Sequence, residues 1–235
     1  MQLLIQLSFP IITIVFFWLL YHELGKGISL SNFTDEKKKT IRTRIVLGFL
    51  GWIVIISALS ISGFLSDFTK LPPRPLLALL IPLVVIIWAS RSAIATEILR
   101  HIPPQNIIRL QSFRIFVEIV LWMLFVENLI AVQMTFEGRN FDILAGLSAV
   151  VIAWLISRGK VSKNGVIIWN ILCLGLLLNI VIVAVLSMPL PFRVFMNEPA
   201  NTIVMKFPFV LLPALLVPLA YGLHFLSLKQ ALNQK

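Results

Sequence analysis

Long apolar runs, each closed by a short polar stretch, recur along the whole chain. A run near twenty residues suits a helix that rises about 1.5 Å per residue through a hydrocarbon core of about 30 Å. The pattern therefore predicts about seven transmembrane helices, at 3–21, 45–65, 76–99, 107–131, 141–157, 166–186 and 207–226. Pro10 is expected to kink the first, and Pro208, Pro213 and Pro218 to bend the last. A proline inside a helix frees a carbonyl that a neighbour or water must satisfy. Pro72, Pro73 and Pro75 stop any helix in SDFTKLPPRP. The expectation is an all-α polytopic membrane protein, one helical domain over 1–235 with almost no soluble part. Strands of about ten residues with polar alternation, as in a membrane β-barrel, are not seen.

Composition agrees. The chain is 59% hydrophobic and only 13% charged, against about 25% charged in soluble domains, and its mean hydropathy is +0.97. The net charge of +10 would suit a polyanion partner, but the basic residues gather in alternate loops, which is the footprint of topology and argues against nucleic acid. Lys26, Lys37, Lys38, Lys39, Arg42 and Arg44 follow the first run, Arg100 and Arg109 the third, and Arg158, Lys160 and Lys163 the fifth. The opposite loops hold only Lys70 and Arg74, then Arg139, then Arg193 and Lys206. This bias predicts the N-terminus outside and the C-terminus, with Lys229 and Lys235, in the cytoplasm. The first run lacks a basic n-region and a small-residue cleavage site, so it reads as a span and not as a signal peptide. Cys173 is the sole cysteine, which excludes an intrachain disulfide.

The candidate chemistry is the charge placed inside apolar runs. Residues 84–128 form two such runs around Pro103-Pro104, yet carry Arg91, Glu97, Arg114, Glu118 and Glu127. Ionisable groups at membrane depth cost several kcal/mol unless paired or hydrated. Counting outward from the proline turn sets Arg91 level with Arg114 and Glu118, and Glu97 within reach of Arg109 or Arg114. Arg114 and Glu118 are also one helical turn apart. Gln111, Ser90, Ser92, Ser112 and Thr96 offer further hydrogen bonds. Two readings stay open: an ion-pair network that locks the helices, or a hydrated cavity in which Arg91, Glu97, Gln111, Arg114 and Glu118 bind a small polar or anionic solute. A second, outer cluster comprises Glu127, Glu137, Arg139 and Asp142. There Gly138 permits a tight turn, Arg139 is expected to reach Glu127 or Glu137, and Asp142 is placed to cap a helix.

Other features add little. His22, His101 and His224 are expected near cytoplasmic helix ends, with no spacing that would bind a metal, and no cofactor is indicated. Lys206 sits at an outer edge, a poor fit to the mid-membrane Schiff-base lysine of retinal proteins. Asn179 reads as interhelical glue. Trp88 and Trp122 lie too deep for an interfacial belt and are expected to pack in the core or line a pocket. No internal repeat supports an inverted-repeat transporter, and no nucleophile, zinc or phosphate-loop motif is present.

The segments QSFRIFVEIVLW and MTFEGRNFDILAGL resemble a group of bacterial multi-pass inner-membrane proteins without assigned activity. The likeness covers residues 103–150. It implies a bacterial inner-membrane location and importance for Arg114, Glu118 and EGRNFD, and brings no reaction, cofactor or partner. Three functions remain compatible with the sequence. They are solute binding or transport, a non-catalytic accessory subunit whose partner docks on the basic cytoplasmic loops, and a membrane-embedded lipid-modifying enzyme using Glu118 with Arg91 and Arg114.

Overall fold

A computed structural model describes residues 2–70 and 72–233. Lys235 lies outside the described residues, among which there are helices and turns but no strand. Helix α1 (Gln2–Leu30) runs unbroken through Pro10, and α2 (Asp35–Ile61) begins almost at once. The polar loop expected over residues 22–44 is therefore mostly helical. Local signals explain this. Glu23 pairs with Lys26 one turn on at 2.7 Å. Thr34 caps α2 by accepting the Lys37 N–H, with Asp35 and Glu36 in the first turn.

The runs expected at 76–99 and 107–131 are each divided. Helix α3 (Pro75–Arg91) and α4 (Ala93–Leu99) meet at a 68° bend. Ser92 is extended there (ψ 153°) and its hydroxyl accepts the Ala95 N–H, ending one helix and starting the next. Lys229 fixes the elbow by donating to the Ser90 and Ser92 carbonyls at 2.8 and 2.7 Å. Gln230 donates to the Leu99 and Ile102 carbonyls at the far end of α4. Helix α5 (Pro104–Leu110) is separated from α6 (Phe113–Val126) by Gln111 and Ser112.

Helix α7 (Ile143–Ser157) is short, while α8 (Lys163–Leu186) is long and is capped by the Ser162 hydroxyl. A π-helical turn, Leu212–Leu216, leads into α9 (Val217–Asn233). The turn has a local cause. Pro218 cannot donate to the Ala214 carbonyl one turn back, and the Trp52 indole N–H donates to that oxygen instead at 2.9 Å. Among the described residues four helices are long and apolar enough to cross a membrane, or five if the bent α3–α4 pair is one span.

Helix α9 is central, packing on α3, α5 and α8, while α1 packs on α6 and α5 on α7. Large apolar side chains also cover the outside, among them Ile14, Val54 and Leu172. Trp88 is 75% exposed and Trp122 is also exposed, so neither packs in the core as the sequence suggested. Their depth along the chain was no guide to which way they face.

Candidate functional site

Two residues on the inward face of α6, Arg114 and Glu118, are each only 2% exposed. What meets them is the return segment after α6, residues 127–142, non-helical apart from a 3-10 turn at Val132–Met134. It runs alongside α8. Gln133 donates to the Ser187 hydroxyl at 3.2 Å, and Asn179 donates to the Arg139 carbonyl at 2.7 Å. Between these anchors the segment travels about 12 Å, at about 1.5 Å per helical residue. Gly138 is needed here for close approach: a Cβ would collide with the Val132 carbonyl and the Gln133 backbone. Gly146, one turn into α7, plays the same part, since a Cβ there would lie 2.9 Å from the Ile115 nitrogen and 3.3 Å from Arg114 Cβ. Helix α7 thus starts level with Arg114.

The outer and inner clusters read from the sequence therefore merge. Arg114 donates through Nε and Nη2 to the two oxygens of Asp142, a two-pronged pairing that suits a planar guanidinium. Its Nη1 donates to His224 Nε2 at 3.0 Å. His224 Nδ1 lies 2.8 Å from Asn170 Oδ1, and Asn170 donates to the Ser227 hydroxyl and the Val166 carbonyl, both at 2.9 Å. These partners assign the tautomer: Nε2 accepts, Nδ1–H donates, and the imidazole is neutral. On the other side, Asn140 donates to Glu118 Oε2 at 2.6 Å and to the Met134 carbonyl at 3.1 Å. Its Oδ1 accepts the Asp142 N–H at 3.1 Å. The result is a continuous buried chain from Glu118 on α6 through Asn140, Asp142, Arg114, His224 and Asn170 to Ser227 on α9.

The charges in this chain are unequal. Arg114 and Asp142 compensate each other, whereas Glu118 has an amide for a partner and, among the described residues, no bonded cation. Glu118 borders a cavity of about 80 Å³ whose other walls, including Val117, Leu121, Met134 and Ile180, are almost wholly apolar. The exception is Asn201, which is buried, donates to the Ala184 carbonyl at 3.0 Å, and leaves its Oδ1 without a partner.

The remaining expected residues lie elsewhere. Arg91 is exposed beside Thr96 and Lys229 in a separate surface pocket, and it does not face Arg114, because the bend at Ser92 turns the chain away. Glu97 bonds the Asn32 N–H, Arg100 and His101 and not Arg109 or Arg114. Gln111 donates to the Ala220 carbonyl at 3.1 Å, with its Oε1 unpartnered. Glu127 is half-buried, and Glu137 accepts from the Trp122 indole at 2.7 Å. Arg139 lies over the Phe195 ring, 5.1 Å from its centre, and among the described residues it pairs with neither Glu127 nor Glu137. Asp142 stands at the start of α7 but makes no side-chain cap, since Arg114 occupies both its oxygens. His224 is fully buried, facing the bundle interior. No group of acidic, histidine or cysteine side chains among the described residues has the geometry to hold a metal.

Asn170, Asn201 and Ser227 were not singled out from the sequence, while Asn140 stood only as part of EGRNFD and His224 only as a histidine near a helix end. Asn170 and His224 did carry a signal, being polar positions within apolar runs. On the polar loops, the Ala200 N–H and then Arg193 hold the Glu198 carboxyl below its ordinary value. Thr69 and then Arg74 do the same for Asp67.

A family model described as a domain of unknown function, DUF8737, matches residues 72–232, more than half of the chain, and the chain belongs to this family. No curated protein and no solved structure matches it. Every member of the buried polar chain lies inside the matched segment.

Proposed function

For this member of the DUF8737 family we propose an integral membrane protein that binds, and carries across the bilayer, a small polar solute at Glu118. In this reading α1, α2, α3–α4, α5–α6, α7, α8 and the π turn with α9 make about seven crossings of a bacterial inner membrane, N-terminus outside and C-terminus in the cytoplasm. One observation carries the proposal. Among the described residues Glu118, 2% exposed, has no bonded cation and borders a cavity whose only other polar side chain offers a free acceptor, Asn201 Oδ1. A buried carboxylate without a cation costs several kcal/mol, and a ligand that brings a cation or N–H donors offsets that cost.

Two acceptors in an apolar chamber call for an ammonium or a small amine. The anionic alternative lacks a free cation, since Arg114 is held by Asp142 and His224. The scaffold reading fits the Arg114–Asp142–His224 part of the chain, which is sealed and satisfied. A lipid-modifying site would need Arg91 beside Glu118, and the two line different cavities.

The test is Ala184→Cys, on the cavity wall, in a Cys173→Ala background. A small cationic thiol reagent should label it, methylammonium should protect it, and Glu118→Gln should abolish the protection. Absence of labelling, or protection that survives Glu118→Gln, overturns the reading.

A further inference from the structure

Apart from the Glu118 cavity, the bundle carries a mostly apolar groove of about 380 Å³. Its walls come from α1 (Leu20, Leu24), α2 (Ile41, Ile45), the α3–α4 elbow and α9. The base is tight, because at Gly222 α9 approaches Ile86 so closely that a Cβ would lie 2.9 Å from it. Trp88, 75% exposed, stands at the lip.

One charged side chain, Arg44, lines the groove, and no carboxylate does. Its neighbours on α2 are otherwise engaged. Arg42 donates to the Gly25 carbonyl and the Ser29 hydroxyl, and Lys38 to the Ser29 carbonyl, joining α2 to α1. Arg44 has no hydrogen bond or ion pair to any described residue. An open apolar trough ending in an unpaired guanidinium matches a molecule with a long hydrocarbon chain and a negative head. Basic pockets between membrane helices take anionic lipid headgroups on the same physical grounds.

We infer that this groove is a binding site for one anionic phospholipid, an acyl chain lying along the α3–α4 elbow and the phosphate on Arg44. The site is separate from the Glu118 cavity and holds whether or not a solute binds there. It gives the bend at Ser92 a use: a straight α3–α4 helix would not turn Ile94, Ala95 and Ile98 under the trough.

The experiment is thermal unfolding of the full chain in bilayer discs of dioleoyl phosphatidylcholine, with and without a quarter dioleoyl phosphatidylglycerol. The anionic lipid should raise Tm by about 3 °C, the shift expected for about 1 kcal/mol in a chain of this size. Arg44→Gln should remove that rise while leaving Tm in pure phosphatidylcholine unchanged. Ala95→Trp, or Ile94→Trp if the first fails to fold, should remove it by filling the trough. Arg91→Gln and Glu118→Gln should both retain it. The inference is overturned if wild type shows no rise, if the rise survives Arg44→Gln, or if it survives filling of the trough, which would leave only general attraction to the basic loops. It is equally overturned if glycerol phosphate alone reproduces the rise, since a free phosphate would then suffice.

Discussion

Arg114 and Arg91 belong to the same charged stretch, yet their surroundings are opposite. Arg114 is buried, gripped by a carboxylate on two nitrogens and by an imidazole on a third. Arg91 is exposed, at the rim of a surface pocket. The difference arises from backbone breaks at Ser92 and at Gln111–Ser112. The 68° bend at Ser92 redirects the chain, so distance from the proline turn stops predicting depth. A charge inside an apolar run is thus not evidence of a site until the partner is known.

The contrast can be broken most directly by truncation. Arg114→Ala leaves Asp142 buried and unpaired and should cost about 3–5 kcal/mol, whereas Arg91→Ala should stay within about 0.5 kcal/mol, both read from denaturant unfolding in micelles. Equal losses would show that the two arginines do not differ as described. His224→Leu is next. It strands one guanidinium nitrogen and Asn170 Oδ1, and should cost about 1–3 kcal/mol in the same assay, with no compensation from added imidazole if the site is as closed as its burial implies.

A glycine pair sharpens the comparison from the packing side. Gly146→Ala forces α7 away from α6 beside Arg114 and should cost about 1–2 kcal/mol. Gly175→Ala on α8 meets nothing within 4 Å and should stabilise by about 0.4–1 kcal/mol. The smallest effect concerns the exposed carboxylate Glu198, whose pKa is lowered below 4.5 by the Ala200 N–H and Arg193. A depressed pKa contributes to stability above the unfolded value and loses that contribution as pH falls through the folded one. The protection of the Ala200 amide, taken relative to its intrinsic exchange rate at each pH, should therefore hold near neutral pH and drop only as pH falls below 4.5, the ordinary carboxylate value. Glu198→Gln should remove most of that pH dependence while leaving Arg114 and its partners untouched.

Much of the fold was legible in local sequence. Thr34 with Asp35-Glu36, Ser162, and proline at the start of α3 and α5 are signals that any chain would obey. The candidate site was legible only in part. Arg114, Glu118 and Asp142 stood out as charges among apolar residues, but Asp142 read as a cap in an outer cluster. Asn140 read only as one position of EGRNFD in that outer cluster, and Asn201 as an ordinary loop residue.

By itself the sequence determined that the chain forms apolar helices, because hydrophobic run length and capping chemistry act between near neighbours. It also marked which charged residues must find partners, because an unpaired charge in an apolar surround is costly wherever it lies. Only the tertiary structure decided who those partners are. The return segment after α6 dives along α8, allowed by close backbone approach at Gly138 and Gly146, and α9 delivers His224 to the same point. Such meetings depend on how separate helices stack and where they bend, and no spacing along the chain records that.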